Sequence, residues 1–170
     1  MVDTNFFPIS RSPARRDLWS YFQKGAIRLA STDVMGTELA RDLDPDRRFM
    51  LEAQAGELPE FLGPAVYGHS RFGHSVFAAP RDEKLLDEVI GLLFDGKARR
   101  DLSEHDVRDA MHVATSARYG FDAFVTEDRN IHRRDARVRD SLHLRLWTPE
   151  QALGLVTRVE HRRRIRLGLD

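Results

Sequence analysis

Four carboxylates stand where this chain could gather side chains for chemistry: Asp3, Glu38, Asp109 and Asp128. Asp3 ends a short apolar start, and Glu38 lies just inside the helix predicted after a second β-like run. Asp109 sits one turn inside a third, strongly periodic helix, and Asp128 follows the apolar run Ala123 to Thr126. Open parallel α/β sheets collect ligands at the carboxyl ends of strands and in the helices that follow them. Carboxylates held together raise one another's proton affinity, so such a cluster is costly unless a divalent cation occupies it. All-oxygen donors suit Mg2+ or Mn2+, which keep several waters and take further ligands from phosphate oxygens. Phosphodiester hydrolysis is the reaction this set can serve. The same residues also admit a bland reading, because 27 acidic residues among 170 place many near helix ends and on solvated faces. Then Asp3 and Asp128 form turns, Glu38 lies on a surface helix, and Asp109 pairs with Arg108 or Arg118.

Neighbouring side chains extend both readings. Thr4, Asn5 and Thr126 can hydrogen-bond the carboxylates, although each is also a common turn or strand-end residue. Asp106 lies three positions after Ser103, a spacing that predicts helix capping rather than metal binding. His112 follows Asp109 by three positions, which leaves a metal-ligand role open, but it lies away from the apolar edge of its helix and is expected at the surface or in a supporting role. His69 and His74, in a Gly-rich stretch, are read as polar loop residues. Arg129, Arg133 and Arg134 follow Asp128 closely enough to meet backbone phosphates. The arginines at 158, 162, 163, 164 and 166 form a basic run that is either a phosphate contact or a solvated face.

Positioning these residues requires alternating strands and helices. Met1 to Phe7 begins the pattern with a very short strand that Asp3 ends; Ile27 to Thr32, Ala123 to Thr126 and Leu144 to Trp147 also read as strands, with Val76 to Ala79 as another candidate. Helices are predicted over Asp17 to Lys24, over Gly36 to Ala55 with a break near Pro45, over Asp82 to Phe94, and from Ser103 to Tyr119. A last helix begins at Thr148-Pro149-Glu150, with Thr as cap and Pro in the first turn. Residues 56–80 carry Gly and Pro repeatedly and read as a long connection. The alternation predicts an α/β fold with a central, mainly parallel sheet flanked by helices.

Composition narrows the chemistry. There are no cysteines, which excludes disulfides, thiolate metal sites and a cysteine nucleophile. Lys+Arg 27 against Asp+Glu 27 leaves no bulk basic field, so nucleic acid must be met by local patches. The apolar runs are too short to span a bilayer and the first residues lack signal-peptide order, so a cytoplasmic protein without a membrane partner is expected. The length suits one domain, read as residues 1–155 followed by a basic extension over 156–170.

The ordered motifs resemble those of the PIN-domain family, over most of the chain from residue 1 to about 155. Val2-Asp3-Thr4-Asn5 is similar to its opening, and Thr37-Glu38-Leu39 to the segment bearing its second acid. Asp109-Ala110-Met111-His112-Val113-Ala114 and Phe124-Val125-Thr126-Glu127-Asp128 resemble the segments bearing its third and fourth acids. The resemblance implies a PIN-like three-layer fold and a Mg2+- or Mn2+-dependent ribonuclease with Asp3, Glu38, Asp109 and Asp128 as metal-binding catalytic residues. Many members are toxins of type II toxin-antitoxin pairs, so RNA substrate, a cognate antitoxin and a homodimer are the implied partners. Two other classes remain: a non-catalytic RNA-binding or regulatory module of the same fold, and a phosphatase or phospho-acceptor enzyme. The second lacks its expected Asp-x-Asp, because Asn5 stands at the third position of that motif.

Overall fold

The computed structural model describes residues 1–7, 9–66, 70 and 79–169. It is a mixed α/β structure in which helices dominate and the strands are very short. Helix α1 (Pro13–Gln23) starts where the Ser12 side chain accepts the Arg15 amide and Pro13 fills the first turn. Strand β1 (Ser31–Thr32) leads directly into α2 (Asp33–Leu39), and α3 (Pro45–Ala55) is capped by Asp44. After β2 (Glu60–Phe61) come α4 (Pro80–Leu93) and α5 (Glu104–Arg118). Strand β3 (Ala123–Val125), α6 (Arg129–His132), α7 (Asp135–Leu142), β4 (Arg145–Trp147) and α8 (Pro149–Leu167) complete the order.

Two parallel two-stranded sheets are formed among the described residues. Ser31 and Thr32 pair with Glu60 and Phe61, and Ala123, Phe124 and Val125 pair with Arg145, Leu146 and Trp147. Residues 1–3 connect them: Val2 N–H donates to the Ala30 carbonyl at 2.9 Å, while Asp3 N–H donates to Val125 at 3.0 Å. The very short first strand expected to end at Asp3 is thus a single bridge at Val2, followed by a 3-10 turn over Thr4–Phe6. Alternate residues of these segments enter different cores, as the two-residue period of extended chain requires. Met1, Phe124 and Leu146 join a cluster with α4 and α5, whereas Val2, Val125 and Trp147 join one with Leu18 and Trp19 of α1 and Ala152 of α8. The strands are therefore covered on both faces, which is the usual condition of parallel pairing.

Several boundaries differ from the sequence expectation. The strand over Ile27 to Thr32 shrinks to Ser31–Thr32, and Gly36 to Ala55 divides into two helices separated by residues 40–44. Helix α1 begins at Pro13 rather than Asp17, because Arg15 is buried in it and paired with Glu127. The charge of Arg15 hides the apolar face that Ala14, Leu18 and Trp19 supply. The strand candidate Val76 to Ala79 falls almost wholly, and His69 and His74 entirely, outside the described residues. Helix α8 continues unbroken through residue 155, with Val156 still packed on the second core cluster. No helix of the described residues is long and apolar enough to cross a membrane.

Candidate metal centre

Helix α5 is the element around which the acidic residues gather. Its start is fixed by a capping box in which Ser103 Oγ accepts the Asp106 amide and Asp106 accepts the Ser103 amide, an arrangement that contributes about 1 kcal/mol. Asp106 thus caps, as its spacing predicted. From Asp109 to Ser116 every residue of α5 is buried. A buried carboxylate at Asp109 is accordingly surrounded by the core rather than by solvent.

Asp109 has its carboxyl pushed up to about 7. Burial is the main cause; the nearby Asp3 and Glu38 charges add to it, while His105 and His112 oppose them. The pairing with Arg108 or Arg118 allowed by sequence does not occur: Arg108 meets Glu38 and Glu104, and Arg118 meets Asp82. Its ion-pair partner among the described residues is His105 Nε2, 3.5 Å away and one turn earlier.

Asp3 is buried at the amino end of its 3-10 turn. Its Oδ2 accepts hydrogen bonds from Thr126 Oγ1 at 2.7 Å and from Asn5 Nδ2 at 3.1 Å. Thr126 Oγ1 also accepts the Asp128 amide at 3.0 Å, so one hydroxyl ties the first acidic residue to the fourth. Asp128 is the N-cap of α6, where its Oδ1 accepts the amides of Asn130 and Ile131 at 2.6 and 3.3 Å. The turn-forming role allowed by the bland reading is therefore real for Asp128. Its second oxygen, Oδ2, lies 4.0 Å from His105 Nε2.

Glu38 is placed in the last turn of α2 rather than just inside its start, because the helix begins at Asp33 immediately after β1. The negative end of the helix dipole disfavours a carboxylate there. Burial disfavours the charge too, yet the pKa is lowered to about 2, because His112, Thr4 and Arg108 outweigh burial. Thr4 Oγ1 donates to Glu38 Oε2, His112 Nε2 lies 3.3 Å from the same oxygen, and Arg108 Nε lies 3.3 Å from Oε1.

Of the two places expected for His112, the surface is corrected, since the residue is fully buried, while the supporting position agrees with its contacts to Glu38 and Thr32. Burial pushes its pKa down, but the hydrogen bond and charge of Glu38, with Asp3 and Asp109 behind them, raise it to about 9. The ring places Nδ1 2.6 Å from Thr32 Oγ1 and Nε2 3.3 Å from Glu38 Oε2, and it stacks on Phe124. Periodicity placed this residue beyond the apolar stripe, but α5 is enclosed on more sides than one stripe implies. His105, exposed beside Asp109 and Asp128, drew no attention in the sequence. Its spacing of four residues before Asp109 was the available signal.

The four expected carboxylates thus fall into two adjoining triplets. Asp3, Glu38 and His112 each offer a ligand atom mutually within 4.8 Å, and so do His105, Asp109 and Asp128. Electrostatic coupling of Asp109 to Asp3 and Glu38 joins the two. The donor set fits a divalent cation: it is hard oxygen with imidazole at its edges, and Asp3 Oδ1 and Asp109 Oδ1 accept no hydrogen bond from the described residues. Beside Thr4, Asn5 and Glu38 a recess of about 260 Å³ opens toward Arg11, Arg41 and Arg47. Of the arginines after Asp128, Arg129 and Arg133 are exposed, whereas Arg134 is held by Asp95 in a two-point ion pair. Comparison of this chain with protein-family models, curated proteins and solved structures finds no match.

Proposed function

We propose that the chain is a PIN-type ribonuclease that hydrolyses RNA phosphodiester bonds with Mg2+ or Mn2+ held by Asp3, Glu38, Asp109 and Asp128. The observation that carries the reading is the gathering of these carboxylates with His105 and His112 into two triplets whose ligand atoms lie mutually within 4.8 Å, with Asp109 buried and its pKa raised by burial. An acid kept partly neutral in this way exchanges its proton for a divalent cation with little other rearrangement. The mixed α/β order and the parallel strand pairs covered on both faces support this reading, of which a three-layer PIN-like arrangement is the finer part proposed.

When bound, the cation supplies Lewis-acid polarisation of the phosphate and makes water a better nucleophile near neutral pH. The chain's own residues determine where this happens. Thr126 fixes the rotamer of Asp3 and the start of α6 together, so Asp3 and Asp128 hold a constant separation. His112 and Arg108 hold Glu38 ionised at every pH relevant to RNA hydrolysis. Asp109 contributes the remaining negative charge once its proton leaves. Arg11 lines the same recess as Glu38 and can neutralise a flanking phosphate, whereas Arg41 is paired with Glu104 and Arg47 with Asp42.

Titration of metal-free protein with Mn2+, followed by calorimetry and proton release, tests the site. Binding accompanied by proton release at about pH 7, and abolished in Asp109→Asn, is expected. RNA bound equally well by wild type and variant, with no metal requirement and no cleavage, would instead favour the non-catalytic binding module.

A further inference from the structure

The body of the protein and its last helix carry opposite charge. Residues 156–170 contain five arginines against Glu160 and Asp170, a net of +3, and because the whole chain sums to +0, residues 1–155 carry −3. Helix α8 packs through its first half, where Pro149 and Ala152 are buried and Leu153 and Val156 lie against the second core cluster. From His161 to Leu169 every residue is exposed. The helix nevertheless remains regular to Leu167, where Gly168 ends it at φ 66 with its amide bonded back to Ile165. No core packing accounts for these turns.

We infer that the exposed end of α8 is an RNA-docking surface, in which Arg158, Arg162 and Arg166 grip successive backbone phosphates. The three recur at i, i+4 and i+8, which places their guanidinium groups on one side of the helix at intervals of about 6 Å. All three are exposed, and none forms an ion pair with a described residue. The acidic residue described among them, Glu160, is turned to Arg163 at 3.5 Å. A guanidinium binds a phosphate through two parallel N–H bonds, so a row of them suits a flexible polyanion.

The apolar residues argue against a lipid surface. Val159, Ile165 and Leu167 are exposed, but at about 100° per residue they are spread around the helix and form no continuous stripe to enter a bilayer or a protein groove. Arg166 stands about 26 Å along the helix from Pro149, so this surface is separate from the residues that hold α8 to the domain. The identity of the polyanion as RNA rests on the proposed hydrolysis, whereas the row of arginines does not.

The experiment measures binding of a fluorescent single-stranded RNA of about 20 nucleotides, longer than a typical single-strand site, in EDTA. Full-length wild type is compared with an Arg158→Gln, Arg162→Gln, Arg166→Gln variant, and Asp109→Asn serves as a variant of the acidic site. Glutamine keeps helix propensity, and the exposed positions leave folding intact, which circular dichroism checks. Loss of three phosphate contacts is expected to weaken binding at least tenfold at about 0.1 M salt and to make the slope of log K against log salt shallower by about 2. The Asp109→Asn variant should retain the tail-dependent binding. Unchanged affinity in the triple variant overturns the inference, as does equal or tighter binding to phosphatidylserine vesicles or polyglutamate. Because EDTA removes the metal, failure of RNA hydrolysis and failure of this surface are read separately.

Discussion

Replacing Asp109 by Asn should stabilise the metal-free protein, even though it removes a residue of the candidate centre. The carboxyl has a folded-state pKa raised from 3.8 to about 7. A group with that sign contributes its stability fully below about pH 4 and loses it as pH rises through 7, because only the folded state holds the proton between those limits. The span corresponds to on the order of 4 kcal/mol of disfavour for the buried anion. Asn keeps the shape and removes the charge, but it weakens the contact with His105, so a net gain of about 1–3 kcal/mol at pH 8 or above is expected. Below about pH 4 this electrostatic difference should vanish, since Asp109 is then protonated in both the folded and the unfolded state. Urea unfolding in EDTA at both pH values measures the difference. Excess Mn2+ should reverse the order by stabilising the wild type, by about 2.7 kcal/mol at a hundredfold over the Kd. A variant that is destabilised equally at both pH values would show that Asp109 is an ordinary hydrogen-bonded core residue and refute the electrostatic argument.

Three further substitutions probe the supports. His112→Leu leaves Thr32 and Glu38 without their buried partner and should cost on the order of 3 kcal/mol, seen as a lower urea midpoint. Thr126→Val keeps the volume of the side chain but removes the bond to Asp3 and the acceptor for the Asp128 amide; Mn2+ affinity should fall by about 10–100-fold in a calorimetric titration. Gly63→Ala places a methyl 2.5 Å from Thr115 Oγ1 and 3.2 Å from Asp33 Oδ1, the oxygen that accepts the Gly63 amide. A loss of about 1–3 kcal/mol in thermal unfolding is expected, with metal affinity retained.

Elements with strong local signals were legible in the sequence. The Ser103 and Thr148 caps, the apolar spacing of α4 and the buried runs that became β3 and β4 all depend on residues within a few positions of one another. What escaped depends on partners far along the chain. Met1–Asp3 is extended only because Ala30 and Val125 bond it from both sides, so its three residues carry no strand pattern of their own. Arg15 reads as a surface charge until Glu127 is brought to it, and its burial moves the start of α1 by a turn. His112 reads as peripheral until Glu38 and Thr32, 74 and 80 residues away, supply its bonds. For the candidate site, spacing could name the four carboxylates but not their division into two triplets, which is set by tertiary packing of α5 against the strand ends. Nor could it show which arginines remain available: Arg134 is spent on Asp95, a residue with positive φ after α4 that no helical pattern connects to it.

The central claim is tested most directly by incubating labelled structured RNA with metal-free protein, then adding EDTA, Mg2+ or Mn2+, alongside an Asp109→Asn, Asp128→Asn double variant purified identically. The account predicts cleavage that requires the added cation and is lost in the double variant while RNA binding persists. Cleavage that survives in the double variant, or its absence from wild type with both metals, would contradict an acidic metal centre that hydrolyses RNA.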